Sequence, residues 1–180
     1  MAEVRSFQSV KLICGIIAKE DQVFRKSRRA LIQFFGDIDF ESKDFDFSIT
    51  DYYEKQMGKN LKRRYVSFEH LINPDELSSI KLRTNRIEED IREDFRRKKR
   101  IVNIDPGYLT PSALIMATTK DFSHRIPLQD GIYAHLEFVF GKKEMKFLDW
   151  TYPDYRSEGY QDFFLSVRKI YLKQRKKQNL

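Results

Sequence analysis

What this chain has little of narrows the field first. One cysteine among 180 residues, Cys14, excludes an internal disulfide, and its place in the apolar run VKLICGIIA marks it as a buried thiol without chemistry. Histidine is nearly as scarce: His70, His124 and His135 stand singly, so no zinc-binding pattern exists. The seven glycines form neither a G-x-x-x-x-G-K-[ST] loop nor a G-x-G-x-x-G turn, and the standard backbone cradles for nucleotide phosphates are therefore missing. A G-x-S-x-G nucleophile elbow is also absent. No apolar run approaches the length of a transmembrane helix, and the N-terminus has no signal-peptide core; a soluble cytoplasmic protein with no membrane partner is expected. Zinc, haem and flavin are not expected, and a metal here would be a hard divalent cation such as Mg held by carboxylates.

What is present belongs to a folded protein. A hydrophobic fraction of 41% and an aromatic fraction of 14%, spread along the chain, suffice for one core. The expectation is a single domain over 1–180, with its core at about 10–172 and a basic tail at 173–180 that frays. A net charge of +7 leans towards anionic partners such as a nucleotide or RNA.

VKLICGIIA (10–18) is an unbroken apolar run rich in β-branched residues, the pattern of a strand covered on both faces. In 20–35, Val23, Phe24, Ser27, Leu31, Phe34 and Phe35 recur at helical spacing, and Gly36 supplies the stop. DFDFSIT (44–50) alternates as a half-buried strand, with LKRRYVSF (61–68) its hairpin partner. Asn73, Pro74, Asp75 and Glu76 announce a helix whose buried stripe runs from Leu77 to Phe95, closed by RRKKR (96–100). IVNI (101–104), SALIMATT (112–119), a hairpin turning at Asp130-Gly131, and KEMKFLDWT (143–151) read as strands. A helical stripe from Tyr160 to Tyr171 follows. The order β-α-β-β-α-β, then more antiparallel strands and a helix, predicts an α+β fold: a ferredoxin-like core extended by antiparallel strands, with helices on one face and a C-terminal helix.

Four polar clusters carry the functional candidates. The first surrounds NIDPGYL and ATTKDFSHRIPL, where Asp-Pro-Gly is read as a turn in which Gly107 can take a positive φ. Lys120, His124 and Arg125 fall within six residues at a predicted strand exit: a point charge, a proton that moves near neutral pH, and a bidentate fork. With Asp105, Lys120 and His124 are the catalytic candidates, and Arg125 the anion binder. The competing reading is a set of polar turns with ordinary surface ion pairs. The second cluster is LDWTYPDYRS (148–157). There Trp150 and Tyr152 can stack a base or sugar, and Asp149 and Asp154 can accept hydrogen bonds or hold a cation. Its bland alternative is a rigid corner with Trp150 as a core anchor and Ser157 as an N-cap. The third is Asp51, Tyr52, Tyr53 and Glu54, following a strand directly. The fourth is Asn85 and Glu88, three apart on one helix face; a solvated face is the simpler account of them. An exposed strand face is likewise the simplest account of His135 and Glu137.

Five of these motifs in order, TDYYEKQMG, TNRIEED, NIDPGYL, ATTKDFSHRIPL and WTYPDYRS, resemble a prokaryotic family of single-domain proteins known only as a domain of unknown function. The resemblance spans about 10–172 and implies a shared fold without an established activity. Family members sometimes carry an automatic GTP-binding label, which the missing phosphate loop does not support. The working expectation is a polar pocket at a sheet edge that binds a phosphate-bearing ligand, a nucleotide or RNA end. Its rivals are a nucleic-acid module using the basic runs KNLKRR, RRKKR and the tail, and a ligand-free assembly partner.

Overall fold

A computed structural model describes residues 3–48, 53–142 and 144–178; Ile49, Asp51, Tyr52 and Lys143, each in a segment quoted above, lie outside them. The elements in chain order are β1 (Val10–Ala18), α1 (Asp21–Phe35), β2 (Ile38–Glu41), β3 (Phe45–Phe47), α2 (Glu54–Met57), β4 (Leu61–Ile72), α3 (Leu77–Asp94), β5 (Val102–Leu109), β6 (Ala113–Thr118), β7 (Ile126–Pro127), β8 (Tyr133–Phe140), β9 (Met145–Phe147) and α4 (Glu158–Lys177). The fold is α+β. One large sheet runs β2-β4-β1-β5-β6-β8-β7, with β3 added on β4 and β9 on β8, and every pairing is antiparallel.

Strand β1 is buried along its whole length because both faces are covered. Leu12, Cys14, Ile16 and Ala18 meet Val23, Phe24 and Leu31 of α1 and Ile80, Ile87 and Ile91 of α3. On the opposite face Ile13 joins Tyr65, Phe138 and the α4 residues Tyr160, Phe163, Phe164 and Val167. Helices thus lie on both faces, not on one. The aromatic stripe of α4 needs an apolar surface, and the face carrying α1 and α3 is already occupied. The helix also continues to Lys177, so most of the expected frayed tail is helical. The Asp130-Gly131 turn has positive φ at both residues (56° and 72°), as a two-residue hairpin requires. Ahead of α3, the Asn73 backbone N–H donates to Glu76 Oε1 at 2.7 Å. No helix of the described residues is long and apolar enough to cross a membrane.

One expectation fails in an informative way. Asp105-Pro106-Gly107 is not a turn; it continues β5 from Val102 to Leu109, paired with β1 throughout. Its other neighbour, β6, pairs only at Gly107, Tyr108 and Leu109, against Met116, Ile115 and Leu114. Beyond Met116, β6 keeps company with β8 alone, so the sheet forks. Pro106 stands next to the branch and has no N–H to offer a further neighbour. Gly107 stands at the branch because β6 passes too close for a side chain: a Cβ there would lie 2.5 Å from the Ile115 carbonyl oxygen and strike Met116. Close approach, not positive φ, calls for this glycine.

Candidate functional site

The fork leaves one edge of β5 without a strand, and buried backbone groups there need partners. Side chains supply them. Lys81 of α3 donates to the Ile104 carbonyl at 2.9 Å, and Glu88 accepts the Ile104 N–H at 2.6 Å. Arg100 Nε donates to the Val102 carbonyl at 2.9 Å. These groups continue into a network: Lys81 reaches Asp105 at 3.3 Å, Asn103 donates to Asp105 at 2.5 Å, and Arg100 pairs with Glu88 and donates to Asn103. Glu88 is therefore buried and structural, where a solvated helix face was expected.

Between the diverging strands lies a cavity of about 470 Å³, within the ordinary range for small-molecule sites. Its lining brings together Asp105, Lys120, Arg125, Asp154, Tyr53, Asn85, Glu88 and Tyr152 from the sequence candidates. It lies inside the fork, not at an outer sheet edge. His124 does not line it; its half-buried ring stacks on Trp150 at 4.8 Å and 5° and lies 5.7 Å from the ring of His135, which does. Trp150 is 40% exposed with its indole N–H on the Leu136 carbonyl, so it is neither a core anchor nor part of the wall. Asp149 is exposed and Glu54 opens α2; neither reaches the cavity. Ser157 precedes α4 but bonds back to the Asp154 carbonyl. Among the described residues no cluster of three His, Cys, Asp or Glu side chains is placed to hold a metal. Of the two aspartates expected to hold a cation, Asp154 is buried and paired with Arg63, whereas Asp149 is exposed.

Arg63, Lys81, Arg100, Asn103, His135 and Glu137 also line the cavity, although sequence reasoning assigned them no place in it. Arg63 pairs with Asp154 and lies over the Phe47 ring at 4.3 Å. His135 and Glu137 share one face of β8, where a register shift against β6 skips Glu137, and both are buried rather than exposed. His135 Nε2 lies 3.5 Å from Glu137 Oε2, and Glu137 Oε1 accepts the Tyr152 N–H at 2.9 Å. Burial is the main reason that Glu137 is pushed up to about 7, with the Asp154 charge adding to it. Burial, then Arg125 and His124, brings His135 down to about 4, so its imidazole is neutral near pH 7. For Asp105 burial acts upward, but Lys81, Arg63, Asn103 and Arg100 outweigh it and hold the carboxyl below its ordinary range. Partial burial and the Arg125 charge lower His124 as well.

Three buried polar atoms of this lining have no hydrogen-bond partner: Arg125 Nε, His135 Nδ1 and Asp154 Oδ1. They come from three separate segments. Arg125 is anchored by its Nη1 on the Lys120 carbonyl at 2.8 Å. Orphaned buried groups cost about 1–3 kcal/mol each, and native proteins keep few of them.

No curated protein and no solved structure matches the chain. A family model does, over residues 8–171 and so across the whole fork and its cavity: the chain belongs to the family described as Domain of unknown function (DUF4416).

Proposed function

We propose that the fork cavity binds a small phosphate-bearing ligand. The observation that carries this reading is one cavity whose lining collects Lys120 and Arg125 together with His135 and Asp154, where Arg125, His135 and Asp154 each keep a buried polar atom without a partner. A ligand oxygen would satisfy Arg125 Nε, and phosphate, as a bidentate acceptor, suits a guanidinium fork. The surrounding charge supports an anion: five cationic side chains line the cavity (Arg63, Lys81, Arg100, Lys120, Arg125) against four carboxylates (Glu88, Asp105, Glu137, Asp154). Of the residues expected to do chemistry, Lys120 and Asp105 stay in this reading. His124 leaves it, and His135 is the imidazole next to the ligand. A nucleotide remains within the proposed class. We also read β1-α1-β2-β4-α3-β5 as a ferredoxin-like core, supported by the strand order β2-β4-β1-β5.

The rival nucleic-acid reading needs free basic runs. Here Lys62 pairs with Asp44, Arg63 with Asp154, Arg64 with Asp44 and Glu41, Arg97 with Glu20, and Arg100 with Glu88. Three of the four basic residues of KNLKRR and two of the five in RRKKR are thus paired, which counts against it.

Native mass spectrometry of protein purified without added ligand, followed by titration with phosphate compounds, tests the proposal. Wild type is expected to retain or bind a phosphorylated small molecule, and Arg125→Ala to lose it at unchanged thermal stability. Equal retention by Arg125→Ala, or binding only of long nucleic acid with steep salt dependence, refutes it.

A further inference from the structure

Resting on the phosphate reading, we infer that the ligand is a phosphate monoester carrying hydroxyl groups, whose hydroxylated part is read by His135 Nδ1 and Asp154 Oδ1. The distribution of burial around the cavity carries this. Thr119 and Lys120 are exposed and mark its mouth, whereas Asp154, His135 and Glu137 are at most 6% exposed and form its inner wall. The anion therefore belongs at the Lys120–Arg125 side, and the rest of the ligand reaches inward.

That inner wall asks for hydrogen-bonding groups without charge. Asp154 Oδ2 is already paired with Arg63, so Oδ1 needs a neutral donor; a second cation at this point would crowd Arg63. His135 presents Nδ1 with no partner, while its Nε2 faces Glu137. A hydroxyl both donates and accepts, and so serves either imidazole tautomer. An apolar ligand tail would leave both atoms orphaned, the arrangement by which sites built for a hydroxyl reject analogues lacking it. Tyr53 and Tyr152 also line the cavity.

Calorimetric titration at pH 7 with inorganic phosphate, ribose 5-phosphate and pentyl phosphate separates the possibilities. Ribose 5-phosphate is expected to bind about ten-fold or more tighter than pentyl phosphate. His135→Phe, which keeps a ring of similar shape, is expected to narrow that ratio to about two-fold. His135→Leu, which removes the same Nδ1 with a side chain of different shape and is expected to narrow the ratio equally, provides an independent variant should the first fold poorly. Equal affinities for ribose 5-phosphate and pentyl phosphate in wild type overturn the hydroxyl reading, water then serving both atoms, and leave the phosphate reading standing. Failure of all three compounds to bind overturns both.

Discussion

The pair Glu137–His135 makes a prediction about stability that needs no ligand. In the folded chain Glu137 is raised from its ordinary 4.5 to about 7. The fold thus favours the protonated carboxyl, and the stability from this group is complete below pH 4.5 and lost as pH rises through 7. His135 moves the other way, from 6.5 to about 4. The fold favours its neutral ring, so its contribution is complete above pH 6.5 and lost as pH falls through 4. Each displacement corresponds to about 3 kcal/mol, and with both side chains at most 6% exposed little solvent screening reduces it. Between pH 4.5 and 6.5 the two slopes oppose and nearly cancel in the wild type. Glu137→Gln removes the falling limb, so its stability should climb with pH relative to wild type by about 3 kcal/mol between pH 4.5 and 7. His135→Phe removes the rising limb and should decline relative to wild type by a similar amount between pH 4 and 6.5. Urea denaturation followed by far-ultraviolet circular dichroism at half-unit pH steps measures all three profiles, and groups common to all of them drop out of the differences. A Glu137→Gln profile parallel to wild type within about 0.5 kcal/mol would show that Glu137 ionises as an exposed carboxyl does, and the buried inner wall would be wrong.

Two further substitutions probe the fork itself. Lys81→Met removes the donor to the Ile104 carbonyl and the partner of Asp105, and should lower the urea-derived stability by about 3 kcal/mol; a loss under about 0.5 would mean that water completes the β5 edge instead. Gly107→Ala drives a Cβ against the Ile115 carbonyl and Met116, and should cost about 2 kcal/mol by forcing β6 outward, read as a lowered melting temperature. A Gly107→Ala protein as stable as wild type would show that the two strands do not meet this closely.

Elements whose cause is local were legible in the residues. The run at 10–18 declared a strand buried on both faces because polar residues hardly interrupt it. The Asn73-Pro74 start and the stripe from Leu77 predicted α3, and Asp130-Gly131 predicted its hairpin, since caps and tight turns depend on neighbouring side chains. Strand β2 escaped notice because four residues, Ile38–Glu41, are too short to express a period against their polar surroundings. Asp-Pro-Gly was misread for a related reason. A turn and a strand at a branch both call for proline and glycine, and only the approach of Met116 distinguishes them.

The candidate site divides along the same line. Asp105, Lys120, Arg125 and Asp154 were recognisable as reactive types, and they do share one cavity. His124 and His135 were indistinguishable in kind, and the choice between them rested on sequence proximity to Lys120 and Arg125. Proximity along the chain says little about which way a side chain faces. His124 stacks on Trp150 beside His135, while β8 places His135 and Glu137 in the cavity lining. Local sequence determined the strands, the long helices and the chemical character of the groups available. Where β6 would part from β5, and hence which of those groups met in one cavity, was decided by long-range packing: α3 lies on one face and α4 on the other, and the gap between those strands stays unfilled.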